Sequence, residues 1–542
     1  MNSRRYRWYA SGDLNAFFGL MLDNVMNLVI LAGILVTVFG FPGDVVYGRM
    51  FPGTALGVLF GDLVYTWMAF RLAARTGRDD VTAMPLGLDA PSGIGMGFTV
   101  LGPAFVAANA HMPEHDAAIL AWQVGMACMI LIGLFKVCMS FVGARIQRAI
   151  PAAGLLGSLA GIGTALMGVL QLGDILKEPV VGMVSLGLIF YALIARLKVP
   201  FHVPGVLASV AVGTILYYGL GALNLLQYPL VRPDLSFPMG VPVPTLGFLA
   251  GMKLAVTQYL PMAVPFAILT VVGGINVTES ARLAGDDYKT RDILLTEAIA
   301  TLVAGLFGGV SQSTPYIGHP AYKAMGGRAA YTLACGIFIG LGGMLGYIPV
   351  LVKLLPLACL APILIFVAFD IVSQAFGESP RSHAPAVCFA IFPSVAQLIQ
   401  IMLANANPAI LSSALDPHMV AETAKIPLPF VENFAVFIIL AHGFILTGML
   451  WGAALAFMVD RQIRRAVTVL VVLAGLSLFG LIHSILPTGG IYVPWGASVQ
   501  GSHTPYHWAA AYLAFALMVV AFGSFDGKKK EPALVVPERE AA

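Results

Sequence analysis

Two stretches of this 542-residue chain decide its fold: MPLGLDAPSG at residues 84–93 and STPYIGHPAY at residues 313–322. Each combines two prolines, glycine and one ionisable side chain inside an apolar region. Proline removes a helical N–H and pushes the residue before it towards extended backbone, so no continuous helix can run through either stretch. Extended backbone inside a membrane leaves peptide groups unpaired, at a cost of several kcal/mol each. We therefore expect the two stretches to pair as a short β-ribbon; the alternative is two proline kinks or loops at the membrane surface.

The two stretches also predict an inverted repeat. Aligning Pro85 with Pro315 makes Asp89 equivalent to His319, each four residues further along the chain. Among sixteen predicted spans, the first stretch opens span three and the second forms span ten, so an odd number of spans separates them and they run in opposite directions. Broken helices that cross near the membrane midplane are typical of secondary transporters built from inverted repeats.

Composition places the whole chain in a membrane. Hydrophobic residues make up 58% and charged residues 11%, whereas a soluble protein carries about 25% charged residues. The net charge of +3 is too small to suggest nucleic-acid binding. Apolar runs of about 20 residues are long enough to span the bilayer. The predicted spans are 14–39, 51–73, 83–110, 117–142, 151–172, 178–195, 203–224, 252–281, 293–310, 314–327, 329–349, 356–376, 384–403, 430–458, 466–486 and 506–523.

Loop charges predict the orientation. With the N-terminus in the cytoplasm, Lys and Arg collect in the cytoplasmic loops, as the positive-inside rule requires; Arg78, Lys136 and Lys323 are among the cations assigned there. We predict a multi-pass inner-membrane protein with both termini cytoplasmic and its first span retained. The predicted units are a first repeat at 1–250, a second repeat at 251–460, additional spans at 461–526 and a disordered cytoplasmic tail at 527–542.

No motif of a soluble or enzymatic function accompanies the spans. The five cysteines are scattered singly through apolar runs, which indicates neither disulfides nor a metal site. We find no nucleotide-binding glycine-rich loop, no HExxH and no catalytic triad. The chain is therefore predicted to be no enzyme, to have no catalytic residue and to need no cofactor or metal.

Ionisable and amide side chains inside spans are costly and often functional. Asp23 and Asn27 are spaced i and i+4, on one face of the first span. Alternatives stay open: Asp13 and Glu297 as interfacial groups, Asp62 and Asp370 as packing residues. Glu279 has Arg282 three residues on, as in a surface ion pair. His319 in a broken helix could bind a ligand and titrate near neutral pH.

One region is similar to a known family. The segments NVTESARLAG (276–285), LLTEA (294–298), VAGLFGG (303–309) and TPYIGH (314–319) resemble spans eight to ten of the nucleobase–cation symporter-2 family, the xanthine/uracil/ascorbate permeases. LNAFFG (14–19) resembles that family's first span and APILI (361–365) its twelfth.

The resemblance implies an all-α polytopic fold of seven plus seven spans, with two broken helices that carry short β-strands. Spans 1–4 and 8–11 would form a core domain, and spans 5–7 and 12–14 a gate domain. The last two spans exceed the family's fourteen. The family's carboxylate positions in spans eight and ten fall on Val272 and Gly318, and its glutamine–histidine pair in span one falls on Gly12-Asp13.

The leading hypothesis is a secondary active transporter of a small polar solute, a nucleobase such as xanthine, uracil or a purine, coupled to protons or sodium. One alternative keeps the fold and carries a small anion, as in the sulfate-permease-like group; another is a non-transporting sensor or enzyme. The expected partners are the solute, H⁺ or Na⁺ and the lipid bilayer; nucleic acid is excluded, and a homodimer stays open. The predicted substrate-binding residues are Asp89, Asn276, Glu279, Tyr316, Gly318 and His319, with Asp23 and Asn27 in coupling or support.

Overall fold

The chain forms a bundle of membrane-length helices around one two-stranded ribbon. The computed structural model describes residues 6–147, 150–195, 197, 199–200, 205–230, 237–316, 318–487, 489–496, 499 and 502–526. Within them, eight helices are long and apolar enough to cross a membrane individually, and two bent helix pairs raise the number to ten. The predicted tail at 527–542 lies outside the described residues.

The helices of the first repeat follow the predicted apolar runs. They are α1 Gly12–Ala32, α2 Gly43–Val45, α3 Phe51–Thr76, α4 Ala90–Met96, α5 Gly102–Asn109, α6 Glu114–Gln147, α7 Ala152–Ile162, α8 Leu170–Lys177, α9 Pro179–Ile189 and α10 Gly205–Ala222. π-Helical stretches continue or join several of them, at Gly33–Val38, Val46–Met50, Gly97–Leu101, Gly163–Val169 and Phe190–Ile194.

The helices between residues 248 and 459 belong to the second predicted repeat. Its helices are α11 Phe248–Leu254, α12 Leu260–Leu283, α13 Thr290–Leu306, α14 His319–Ala324, α15 Ala330–Leu345, α16 Tyr347–Leu354, α17 Leu357–Gly377, α18 Ala384–Ala406, α19 Pro417–Ala424, α20 Leu428–Ala441 and α21 Phe444–Val459. The π-helical stretch Ala255–Tyr259 joins α11 to α12, and 3₁₀ turns lie at Arg381–His383 and Pro408–Ala414.

The predicted β-ribbon is confirmed. Strand β1, Leu86–Leu88, pairs antiparallel with strand β2, Ser313–Pro315, and Gly87 faces Thr314 in the register. Further backbone bonds lengthen the ribbon at both ends, from Tyr316 N to the Pro85 carbonyl (2.9 Å) and from Asp89 N to the Gln312 carbonyl (3.0 Å). We call the end at Leu88 and Ser313 the α4 end, and the end at Leu86 and Pro315 the α14 end.

Proline lies at the start of both helices that follow the strands. α4 and α14 both carry a proline within their first two positions, where a missing N–H removes no helical hydrogen bond. The two helices leave opposite ends of the ribbon because the strands are antiparallel. This is the inverted-repeat arrangement expected from the alignment of Pro85 with Pro315.

Two packed domains surround the ribbon, as the seven-plus-seven fold requires. In the core, α3 packs on α13 and α15, and α6 packs on α11, α12 and α13. In the gate, α7 packs on α17, α18 and α21. An apolar cluster joins the domains and contains Ile30, Ile94 and Phe98 from the core and Ile162, Leu364 and Phe444 from the gate. The proposed unit boundaries at residues 250 and 460 stay a prediction.

Two predicted spans are bent rather than straight. Predicted span 430–458 divides into α20 and α21, which meet at 77°, because Gly443 adopts a left-handed backbone with φ of 73° that favours glycine. Within predicted span 329–349, the chain turns by 82° from α15 into α16. The corner between α15 and α16 is again a left-handed glycine, Gly346.

The extra C-terminal segment forms helices, as predicted. α22, Ile463–Leu478, and α23, Thr504–Asp526, pack on each other, and α22 also packs on α21. The connection between them reaches the core, because Ile491 N donates to the Thr257 carbonyl at 2.7 Å. The segment therefore contacts both domains.

Candidate functional site

Two asparagines of α1 satisfy the backbone of β1. Asn24 accepts a hydrogen bond from Leu88 N at 2.9 Å through its Oδ1. Asn27 donates from Nδ2 to the Leu88 carbonyl at 3.1 Å. A side-chain amide has both a donor and an acceptor, so it can replace the partners that a strand edge lacks. These contacts explain why polar residues on one face of α1 are buried in a membrane helix.

A carboxyl group of α3 accepts a backbone hydrogen bond at the other end of β1. Asp62 is fully buried, and its Oδ1 accepts from Leu86 N at 3.2 Å. The alternative that Asp62 bonds neighbouring elements is therefore the one the structure favours. Asp62 Oδ2 has no hydrogen-bond partner among the described residues.

A half-buried polar patch lies beside the middle of the ribbon. Asp23 and Tyr316 both approach Gly87: a Cβ there would lie 3.4 Å from Asp23 Oδ2 and 3.8 Å from Tyr316 Cδ2. The Tyr316 ring stacks on Tyr322 with centroids 6.0 Å apart. Gly318 packs against the Tyr316 ring, and a Cβ at residue 318 would be 2.6 Å from Tyr316 Cε1. The structure thus brings together three predicted residues, Asp23, Tyr316 and Gly318.

Among the described residues, few groups stabilise an ionised Asp23 carboxylate. Its Oδ2 accepts one hydrogen bond, from Asn27 Nδ2 at 3.3 Å. The side chain is half-buried beside the ribbon, so part of it stays accessible. A carboxyl group in such a place can exchange a proton.

Asp89 caps the helix that follows β1. Its Oδ2 accepts from Ser92 N at 2.9 Å, as an N-cap carboxylate does. This bond satisfies one of the N–H groups at the start of α4 that have no helical partner. Asp89 therefore lies at the α4 end of the ribbon with one oxygen engaged.

A buried ion pair lies behind the same end. Lys136 Nζ is 2.6 Å from Glu297 Oε1, and both side chains are at most 1% exposed. The assignment of Lys136 to the cytoplasmic cations is wrong, since α6 is 34 residues long and carries the lysine within the bundle. The interfacial alternative for Glu297 is wrong as well, because α13 packs on α6 and buries its carboxyl group.

His319 lies at the α14 end, away from Asp89. Its fully buried imidazole has Nε2 at 3.3 Å from the Thr82 carbonyl and 3.4 Å from Asp286 Oδ2. Both neighbours are acceptors, so Nε2 carries the proton. The antiparallel register separates the two residues that the sequence alignment makes equivalent.

Asp286, in the α12–α13 loop, is the centre of a charged cluster at the α14 end. Its Oδ2 is 2.6 Å from Lys323 Nζ, and its Oδ1 is 3.3 Å from Arg78. Burial alone would raise the pKa of Asp286, but hydrogen bonds from His319 and Lys323 outweigh it and hold the pKa below its usual value. Beside it, a hydrogen bond from Arg78 lowers the pKa of Asp80.

Of the two remaining predicted residues, Glu279 lies outside this arrangement. Glu279 lies near the end of α12 with half of its side chain exposed, and it pairs with Arg282, which is the ion pair considered as its alternative. The side chain of Asn276 lies outside the described residues, as does that of Asp370.

Several buried polar atoms at the ribbon have no partner among the described residues. On the β2 side these are the donors Gln312 Nε2 and Ser313 Oγ, both on fully buried residues. On the α1 side there is an acceptor, Asn27 Oδ1. Buried polar groups in proteins are nearly always paired, so unpaired ones indicate a bound molecule or water.

Sequence reasoning missed Asn24, Lys136, Glu297 and Gln312 as members of the site. Lys136 did carry a signal, because it is a lysine with apolar residues on both sides in LIGLFKVCMS at 131–140. Asn24 was recognised as a polar residue of span one, but nothing local shows that it contacts β1. The contact of Asn24 with Leu88 joins residues 64 positions apart and that of Lys136 with Ser313 joins residues 177 positions apart, which no local pattern reports.

The fold is shared with solved transporters. No family model matches the chain, and no curated protein does. The transmembrane domain of a cyanobacterium bicarbonate transporter, BicA, is similar with a TM-score of 0.50 at 18% identity, over 72% of this chain and 96% of that one. SLC26A9 is similar with a TM-score of 0.51 at 13% identity, over 83% of this chain and 65% of that one. The chain thus spans about two thirds of SLC26A9, and the likeness confirms the inverted-repeat fold.

Proposed function

We propose that this protein is a secondary transporter of a small anion, with a proton carried on Asp23. The core, which contains the ribbon, moves against the gate to expose the patch to each side in turn. One observation carries the choice of an anion. Two fully buried donors on the β2 side, Gln312 Nε2 and Ser313 Oγ, have no acceptor among the described residues. Oxygen atoms of an anion would accept from them.

Charge near β2 supports the same solute. Lys136 Nζ lies 3.3 Å from the Ser313 carbonyl and 2.6 Å from Glu297 Oε1, so the unpaired donors adjoin a neutralised ion pair and not a free carboxylate. Buried charges interact far more strongly than exposed ones, because less water screens them. Two carboxyl groups at the α4 end are engaged: Asp89 by Ser92 N and Glu297 by Lys136.

Asp23 explains how an anion can bind beside an acidic side chain. An ionised Asp23 would repel the anion across a poorly hydrated patch. A proton on Asp23 removes that repulsion, so proton and anion bind together and leave together. Coupling of this kind requires a carboxyl group that can exchange a proton, and the half-buried side chain of Asp23 is partly accessible.

The nucleobase hypothesis has less support. The family's carboxylate positions fall on Val272 and Gly318, so the usual acceptors for ring N–H groups are missing from spans eight and ten. The similar fold of a bicarbonate transporter adds to the case for an anion.

Uptake by purified protein in liposomes tests the proposal. Chloride, nitrate, sulfate, formate and bicarbonate are each offered under an inward proton gradient, beside a panel of xanthine, uracil, adenine and hypoxanthine. At least one anion is expected to accumulate, and the collapse of the gradient by an ionophore is expected to stop it. Glu279→Gln is the matched control, because that exposed carboxylate lies outside the patch, and its uptake should equal wild type. Accumulation of a nucleobase without any anion would overturn the proposal.

A further inference from the structure

Lys136 sits in a cage of oxygen atoms. Its fully buried ammonium lies 2.6 Å from Glu297 Oε1, 3.3 Å from Thr301 Oγ1 and 3.3 Å from the Ser313 carbonyl. An ammonium has three N–H donors, and the cage supplies one acceptor for each. The oxygens come from three places: two successive turns of α13 and strand β2.

Stability alone does not account for this pair. Removing two charges from water costs several kcal/mol per ion. Apolar residues of similar volume in the same place often give the folded protein equal or greater stability. The neighbouring part of α6 is apolar, since Leu131, Phe135 and Cys138 line a cavity of about 270 Å³ with α12 residues such as Ala263. A simple packing role would therefore be filled by a leucine or methionine.

The donor set is that of a hard-cation site. Carboxylate, hydroxyl and backbone carbonyl oxygens are the ligands that hard metal cations prefer. One negative charge from Glu297 matches one positive charge. The cage also borders the ribbon directly, because the Ser313 carbonyl belongs to β2.

We propose that Glu297, Thr301 and the Ser313 carbonyl form a monovalent-cation site that the chain fills with its own ammonium. The Lys136 ammonium neutralises Glu297 and binds the Ser313 carbonyl of β2, as a bound sodium ion would. Unlike an ion, it cannot dissociate. The protein itself therefore has no requirement for sodium. The consequence for coupling rests on the transport function proposed above: the driving ion is the proton, and a sodium gradient drives nothing.

Thermal unfolding of purified protein in detergent tests the cage without any solute. The buffers contain NaCl or choline chloride at equal ionic strength. Wild type should unfold at the same temperature in both. Lys136→Ala removes the ammonium and leaves room, so sodium should bind to the vacated oxygens. We expect its unfolding temperature to rise by several degrees in NaCl relative to choline chloride, since a ligand that binds only the folded state stabilises it.

The matched control is the double variant Lys136→Ala with Glu297→Gln. It has the same cavity without the carboxylate, so NaCl and choline chloride should give equal unfolding temperatures. Lys136→Gln, which fills more of the space, gives a second measurement if Lys136→Ala does not fold in either salt. Sodium-specific stabilisation of wild type would overturn the proposal. So would equal responses of both lysine variants and the double variant to the two salts.

These outcomes are independent of transport. Failure of anion uptake would leave a sodium response of Lys136→Ala intact. Conversely, lack of that response would remove the cage proposal and leave anion uptake as it was measured.

Discussion

The two ends of the ribbon each have a lysine paired with a carboxylate, but the pairs differ in what surrounds them. At the α4 end, Lys136 and Glu297 are at most 1% exposed and have only each other for charge balance among the described ion pairs. At the α14 end, Lys323 is 16% exposed, and Asp286 also faces Arg78 and His319.

This difference indicates that the α14 end fixes a neighbouring segment in place, whereas the α4 end belongs to the candidate site. The α14 end holds the 78–83 segment by many bonds, including Tyr288 to the Thr82 carbonyl and Tyr331 to the Ala83 carbonyl. Loss of one partner there leaves others. The α4 end depends on one pair, so its removal leaves a bare charge in the bundle. Several charged partners at the α14 end favour a structural role there, whereas the Lys136–Glu297 pair, with no second charged partner among the described ion pairs, favours a functional one.

The largest expected effect is on stability, and it compares the two lysines. Lys136→Ala in choline chloride should lower the free energy of unfolding by about 3–5 kcal/mol, as breaking a buried pair does. Lys323→Ala should cost about 1 kcal/mol, because its pair is partly exposed and Asp286 keeps other partners. Unfolding by titration with denaturing detergent measures both. Equal losses would remove the distinction between the ends.

A smaller effect is expected at the patch. Gly318→Ala puts a methyl group 2.6 Å from Tyr316 Cε1, and overpacking of this kind costs about 1–3 kcal/mol. We expect anion uptake to fall about tenfold while the protein remains folded. Gly273→Ala is the control, because a Cβ at that glycine of α12 meets nothing within 4 Å.

The Gly318 prediction includes a rescue. Tyr316→Leu in the Gly318→Ala background removes the clashing ring atoms, so uptake should recover at least in part. Uptake in Gly318→Ala equal to that of Gly273→Ala would show that the patch is not in the solute's path.

The smallest expected effect is on the stability of the protein at acidic pH. The pKa of Asp286 is depressed by His319 and Lys323. Its contribution to stability is therefore present above the ordinary pKa of about 3.9 and is lost as pH falls through the lower folded value. The Asp286→Asn protein should unfold at a lower temperature than wild type at neutral pH. The difference between their unfolding temperatures should become smaller below about pH 4. Unfolding temperatures measured from pH 7 to pH 3 check this; a constant difference would contradict it.

The sequence was informative where covalent geometry decides the structure. Two prolines and a glycine inside an apolar region, a combination that recurs in residues 84–93 and 313–322, predicted the ribbon, the broken helices and the repeat. It was less informative where the partner is distant in the chain. Lys136 and Glu297 are 161 positions apart by their numbers, and neither has a local pattern that shows which side of its helix faces the bundle.

The helix bend at Gly443 was missed for a related reason. The apolar run at 430–458 is continuous in composition, and a single glycine in such a run is compatible with a straight helix. The contacts of His442 show what stabilises the bend: its Nδ1 donates to the Ser484 carbonyl at 2.6 Å, and its Nε2 lies 3.0 Å from Gln400 Nε2. Ser484 belongs to the extra C-terminal segment, whose presence the sequence did predict.

The pH dependence of anion uptake in wild type and in Asp23→Asn tests the central claim most directly. With equal pH on both sides of the liposome, wild-type exchange of the transported anion should accelerate as pH falls, because protonation of Asp23 removes its repulsion of the anion. Asp23→Asn, which is neutral at every pH, should exchange the anion at a rate that does not change with pH and should no longer accumulate it under a proton gradient. An Asp23→Asn protein that still accumulates the anion with the wild-type pH profile would contradict the account.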